Sequence, residues 1–149
     1  MDRFEVGVVL DVLGRECWLA GELALVRDGV VCVRMFPAPD RDTTRWLAVI
    51  DRPRTVLLLE RDHDLENAGW PGARAVVSGE QLDTVAYGAV TTRARGEFLE
   101  GWAGDGRYAL LRGPTQRALC LDVNGALLAL AGCSVDESAI ETLGIAQQR

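Results

Sequence analysis

The chain has 149 residues, a net charge of −6 and 48% hydrophobic residues. This length and composition are typical of one folded domain, so we expect a single domain over residues 1–149. All sixteen cationic side chains are arginines and no run of them forms a basic patch, which argues against binding to nucleic acid. Lysine is absent, which excludes Schiff-base chemistry on a lysine.

The N-terminal part of the chain predicts short antiparallel strands. Apolar residues recur at every second position over residues 4–12, and Gly14-Arg15 then predicts a turn. Asp28-Gly29 separates two apolar runs and is typical of a two-residue hairpin loop, because both of its positions tolerate positive φ. The pairs predicted across this loop are Val26 with Val31 and Ala24 with Val33.

The middle of the chain combines strands with loops. Residues 46–50 and 55–59 predict two strands around a turn that contains Pro53. Loops are expected at 37–42 and 67–72, and a short strand at 75–77. The sequence of residues 78–95 is compatible with two structures: a helix capped by Ser78, or a strand with a central glycine.

The clearest local signal lies near the C-terminal end. Asn124-Gly125 between two aliphatic runs favours a type I′ hairpin turn. A serine at position 134 followed by Glu137 resembles a capping box and predicts a short C-terminal helix. Together these elements predict an α+β fold: one β-rich domain with an antiparallel meander or partly closed barrel and a C-terminal helix. The hairpin register expected is Val123 with Ala126, Leu121 with Leu128 and Leu119 with Leu130.

Few residues offer catalytic or metal-binding chemistry. The chain has one histidine, His63, inside an acidic segment, and this segment is more simply read as a solvated loop than as a metal site. The four cysteines lack the close spacing of zinc ligands. Gly101, Gly104 and Gly106 lead into a strand rather than a helix, so they do not predict a phosphate loop. We therefore expect no catalytic residue, metal or cofactor.

Two tryptophans and five acids remain as candidate contact residues for a partner protein. Tryptophan in a glycine-rich loop is either a binding anchor or a lid packed over the end of the sheet. Acidic loops favour a partner with a basic surface. The candidate residues are Trp70, Trp102, Asp62, Asp64, Glu66, Glu100 and Asp105.

Three functions fit this sequence. The first is an acidic, non-catalytic protein-binding module, such as an immunity protein, an antitoxin or a secretion adaptor. The second is a β-rich domain that binds a small molecule in a pocket lined by arginine and tryptophan. The third is an enzyme that uses carboxylates, a cysteine or His63. The N-terminus has an acid where a signal peptide has basic residues, and no apolar run is long enough to cross a membrane, so we expect a cytoplasmic protein without a membrane partner.

Overall fold

The computed structural model describes residues 2–40 and 43–145, and nearly all of this part of the chain is β-structure. The elements besides strands are one short helix, α1 (His63–Asn67), and a 3₁₀ turn at Glu137–Ala139. No helix in the described ranges has the length and apolar character needed to cross a membrane. The strands are β1 (Val8–Val12), β2 (Arg15–Trp18), β3 (Gly21–Arg27), β4 (Val30–Pro39), β5 (Thr44–Asp51), β6 (Arg54–Arg61), β7 (Arg74–Val77), β8 (Glu80–Gly96), β9 (Gly104–Arg112), β10 (Arg117–Val123), β11 (Ala126–Val135) and β12 (Ile140–Ile145).

Eight antiparallel strands form a closed barrel in the order β3-β4-β5-β6-β11-β10-β9-β8, because β8 also pairs with β3. Strand β7 extends the sheet beyond β8. Large aliphatic side chains alternate along each strand, so one set fills the lumen of the barrel and the other set lies on its outer surface.

Two glycines allow the barrel to close. Gly21 on β3 lies opposite Gly96 on β8. A Cβ on Gly21 would overlap the carbonyl oxygen of Glu97. A Cβ on Gly96 would lie 2.6 Å from the carbonyl oxygen of Ala20, which is also too close. Only glycine at these two positions permits so close an approach of the two backbones.

A second, three-stranded sheet (β12-β1-β2) covers the outer surface of β4–β6. Ion pairs between the two chain ends and the barrel reinforce this apolar contact. Arg54 Nη1 lies 2.9 Å from an Asp2 carboxylate oxygen, and Arg54 Nε lies 2.6 Å from one of Glu137. Arg34 also pairs with Asp2. Hydrogen bonds from Arg54, followed by those from Phe4 N and Arg34, hold the pKa of Asp2 well below its usual range.

The predicted C-terminal helix is wrong, and the fold is all-β rather than α+β. Of the two alternatives left open for residues 78–95, the structure has the strand. Ser78 does not cap a helix: Ser78 and Gly79 have φ values of 50° and 80° and form the turn between β7 and β8, after which β8 runs to Gly96. Ser134 belongs to β11, and Asp136 instead caps the 3₁₀ turn by accepting a hydrogen bond from Ser138 N. The chain then continues as β12, because its apolar residues pair with β1.

The hairpin predictions differ in outcome. The full register around Asn124-Gly125 is confirmed. Around Asp28-Gly29 the pair Val26–Val31 is confirmed, but a bulge beside Leu25 pairs Val33 with Leu25 instead of Ala24. The predicted loop at 37–42 is wrong up to Pro39, which belongs to β4; Arg41 and Asp42 lie outside the described residues.

We expect Gly125→Val to destabilise the protein. Gly125 has a φ of 83° and an added Cβ would meet no atom within 4 Å, so the cost comes from the backbone conformation alone. A loss of about 1–3 kcal/mol in the free energy of unfolding is expected in urea denaturation. Gly72→Val is the matched control, because Gly72 is exposed, equally uncrowded and does not have a left-handed φ. Equal effects of the two substitutions would contradict this account of the turn.

Asp2→Asn should lower the melting temperature at pH 7 by removing the carboxylate that pairs with Arg54 and Arg34. The pKa of Asp2 is lower in the folded than in the unfolded chain, so its stabilisation is complete above the ordinary value of 3.8 and is lost as the pH falls below it. The difference in melting temperature between wild type and variant should therefore be constant from neutral pH to about pH 5 and shrink below about pH 4. Glu16→Gln, at an exposed carboxylate without an ion pair among the described residues, is the control. If the difference in melting temperature between wild type and Asp2→Asn stays the same down to the lowest pH measured, the ion pairs of Asp2 do not stabilise the fold.

Candidate functional site

The two ends of the barrel differ because their connections carry different side chains. Antiparallel strands place the β3–β4, β5–β6 and β9–β10 turns at one end, called the mouth below. The β8–β9 connection lies at the opposite, closed end. There Trp46, Leu99 and Trp102 pack into the lumen, and Thr92 Oγ1 donates a hydrogen bond to the carbonyl of Trp102. This end of the barrel is filled.

The mouth opens into a cavity of about 570 Å³. Its floor is formed by the buried side chains of Val33, Leu57 and Tyr108, which belong to the core of the lumen. Its walls are side chains that face the lumen but remain only partly buried, because nothing fills the space between them. These wall residues are Cys32, Ile50, Ala86 and Leu110. The volume falls within the range of about 300–1,000 Å³ that is usual for small-molecule sites.

The rim of the mouth has an apolar arc and a polar arc. The apolar arc is formed by Val30, Val31 and Val85, which are 58%, 38% and 53% exposed. These valines are neighbours because β3 pairs with both β4 and β8. The polar arc occupies the rest of the rim, on the β5–β6 turn and on the mouth ends of β6, β11, β10 and β9. Its arginines and hydroxyl residues are Arg52, Thr55, Ser134, Arg117 and Arg112.

The thiol and the phenol in the cavity wall and floor, those of Cys32 and Tyr108, are neutral at physiological pH. Burial raises the pKa of the Cys32 thiol above 9.0, and its Sγ donates a hydrogen bond to the carbonyl of Leu25 at 3.3 Å. Burial likewise raises the pKa of the Tyr108 hydroxyl above 10.0, although the nearby Arg27 guanidinium opposes this shift. A protonated thiol is a weak nucleophile. The cavity therefore offers binding surface and hydrogen bonds rather than an activated nucleophile.

Two of the three acids predicted around His63, Asp62 and Glu66, are held by local interactions. Asp62 caps α1 by accepting a hydrogen bond from Leu65 N at 2.9 Å. Glu66 pairs with Arg61 at 2.7 Å and lies 3.3 Å from His63 Nδ1. Asp64 is exposed. Within the described ranges no group of three or more histidine, cysteine or carboxylate side chains is arranged to hold a metal ion.

The two candidate tryptophans are half-buried and lie apart from the mouth. Trp70 packs on the outer surface of β9–β11, and the Arg107 guanidinium lies 4.1 Å from the centre of its ring. Trp102 packs against the lumen at the closed end, in the position of a lid. Near it, Glu100 is exposed and Asp105 accepts a hydrogen bond from Thr91. The candidate contact residues are therefore split between α1 with its neighbouring loop and the closed end, and none lines the cavity.

Sequence reasoning missed the cavity residues because they come from seven different strands and the β5–β6 turn. The sequence contains one partial indication of the cavity: Ala86 and Gly88 are small residues at alternate positions of β8, and both lie on its lumen side. Small side chains on one face of a barrel strand are what an internal cavity needs. Comparison of the chain with protein-family models, curated proteins and solved structures found no match.

The thiol of Cys32 gives a test of this description. In a Cys133→Ser variant, which removes the exposed thiol, the rate of iodoacetamide alkylation of Cys32 should still be rising above pH 9.0 in the folded protein. In urea the same thiol should titrate near its usual value of about 8.5. Peptide mapping by mass spectrometry separates Cys32 from the buried Cys17 and Cys120. Identical pH profiles in the folded and unfolded chains would contradict the burial of Cys32 in the cavity wall.

Proposed function

We propose that this protein binds one small, largely apolar molecule in the lumen of its barrel, entering through the mouth. The observation that carries the proposal is the cavity of about 570 Å³, whose walls are partly buried apolar side chains. Burial of such surface by a ligand is favourable by roughly 25 cal/mol per Å². This corresponds to the second of the three functions that the sequence suggested, except that neither Trp70 nor Trp102 lines the cavity.

The shape of the barrel supports binding rather than a packed core. An eight-stranded barrel has a lumen that side chains just fill or that holds one small ligand. Here Trp46 and Leu99 fill the closed end, whereas Ala86 and Cys32 contribute small side chains to the wall at the mouth end, beside Ile50 and Leu110. The exposed valines of the rim extend the apolar surface to the entrance.

The protein-binding module remains a prediction. It rests on the acidic total charge and on Trp70 and Trp102. Each of these tryptophans has an intramolecular packing partner. Among the candidate acids, Glu66 pairs with Arg61 and Asp62 caps α1. The mouth, by contrast, has an unfilled cavity, and for this reason we place the function there.

A substitution inside the lumen should block binding. Ala86→Trp places a large side chain in the cavity wall and should weaken binding of the neutral probe N-phenyl-1-naphthylamine by about tenfold or more. Ala89→Trp is the matched control, since Ala89 is exposed on the outer face of the same strand. Fluorescence titration measures both affinities. If wild type does not bind apolar probes, or if both variants bind like wild type, the lumen is not the binding site.

A second measurement does not depend on how well Ala86→Trp folds. In the Cys133→Ser variant, saturating probe should slow alkylation of Cys32 by N-phenylmaleimide, because Cys32 lines the cavity. Probe that binds without protecting Cys32 would show that it binds elsewhere.

A further inference from the structure

We propose that the ligand is an amphiphile whose anionic head group, a carboxylate or a phosphate monoester, is bound by Arg112, Arg117 and Arg52 while its apolar part occupies the lumen. This inference rests on the proposed function and specifies the class of ligand. It depends on the arrangement of charge at the mouth, which the total charge of the chain does not reveal.

Arg112 and Arg117 face the lumen from directly opposed positions of two neighbouring strands. Tyr108 and Leu110 precede Arg112 on the lumen face of β9, and Leu119 follows Arg117 on the lumen face of β10. The register pairs Arg112 with Arg117. Like charges opposite each other in a sheet are destabilising. An anion between the two guanidinium groups would turn this repulsion into attraction.

The acids nearest to these arginines are engaged with other groups. Asp83 lies opposite Arg112 in the register, but its ion pair is with Arg74 at 3.4 Å. Asp51 pairs with Arg54 at 2.9 Å. Glu80 accepts hydrogen bonds from the backbone and hydroxyl of Thr115 and from Gln116 N.

Consequently, Arg52, Arg112 and Arg117 have no ion-pair partner among the described residues. Arg117 is oriented by two hydrogen bonds from its Nη1 to the carbonyls of Gly113 and Gln116, at 2.9 and 3.0 Å. Its charge is thereby held over the rim, where the Glu80 carboxylate also attracts it.

The two hydroxyl groups of the polar arc suit an oxyanion, and Asp51, the carboxylate that also lines the cavity, is paired with Arg54. Thr55 and Ser134 lie on the arc between Arg52 and Arg117, and their hydroxyl groups line the same cavity. Guanidinium groups bind carboxylate and phosphate oxygens with paired, charge-assisted hydrogen bonds. The valines of the apolar arc lie on the other side of the mouth. A molecule with a charged head and an apolar body matches both arcs, whereas a wholly apolar molecule leaves the arginines unpaired.

The test compares four ligands of equal chain length by displacement of N-phenyl-1-naphthylamine: dodecanoate, dodecyl phosphate, dodecanol and dodecylammonium. Wild type should bind one or both anions about tenfold or more tighter than dodecanol, and dodecylammonium most weakly. The two anions distinguish a carboxylate from a phosphate site.

Arg112→Gln and Arg52→Gln should each reduce the preference for the anion while leaving the affinity for dodecanol unchanged. Arg93→Gln is the control, because Arg93 is an exposed arginine near the closed end without an ion pair among the described residues.

Melting curves show whether the variants fold. Arg112→Gln removes the like-charge contact with Arg117, so the ligand-free protein should melt no lower than wild type, whereas the stabilisation by the anion should shrink. Equal affinity of wild type for dodecanol and both anions would overturn this inference and leave the proposed function standing. An anion preference retained in both arginine variants would also overturn it. Absence of binding by all four ligands and by the neutral probe would overturn the proposed function as well.

Discussion

Pairing of β3 with β8 is the constraint on which the rest of the structure depends. Without this pairing the sheet would be open, with β3 at one end and β7 beyond β8 at the other; the pairing around Gly21 and Gly96 turns it into a barrel. Closure removes two unpaired sheet edges and creates a lumen shielded from solvent along its sides. Without it, the residues that line the cavity would form one face of an open, curved sheet.

Once the barrel is closed, the sizes of the inward side chains decide where space remains. Trp46 and Leu99 fill one end, whereas the lumen side of β8 near the mouth carries Ala86 and Gly88. The space above Gly88 is taken by the Arg27 guanidinium, which a Cβ on Gly88 would overlap and which donates a hydrogen bond to the Tyr87 carbonyl at 3.0 Å. The remaining volume lies at the mouth, so the position of the cavity follows from the unequal filling of the lumen.

The sequence predicts those parts of this fold that depend on neighbouring residues. The register around Asn124-Gly125 was predictable because two residues determine the turn and the strands follow from it. Ser78-Gly79 forms the same kind of turn, but a serine followed by polar residues also resembles a helix start, and that competing pattern left helix and strand both open for residues 78–95. The closure at Gly21 and Gly96 joins residues distant in sequence, and the cavity collects side chains from seven strands and a turn, so neither has a local pattern.

The charge of the mouth shows why total charge is a poor guide to this site. A net charge of −6 suggests a basic partner, yet that sum includes carboxylates whose effect is local. Asp2, Asp51 and Glu137 surround Arg54 at the junction of the two sheets, where they stabilise the fold. Arg52, Arg112 and Arg117 have no ion-pair partner in the part of the chain that the structure describes, although Glu80 attracts Arg117. They border a cavity of low polarity, in which Coulomb interactions are stronger than in water. In the proposed site an anion would respond mainly to these nearby arginines, because Asp51 beside the cavity is paired with Arg54 and the more distant Asp2 and Glu137 act through screening solvent.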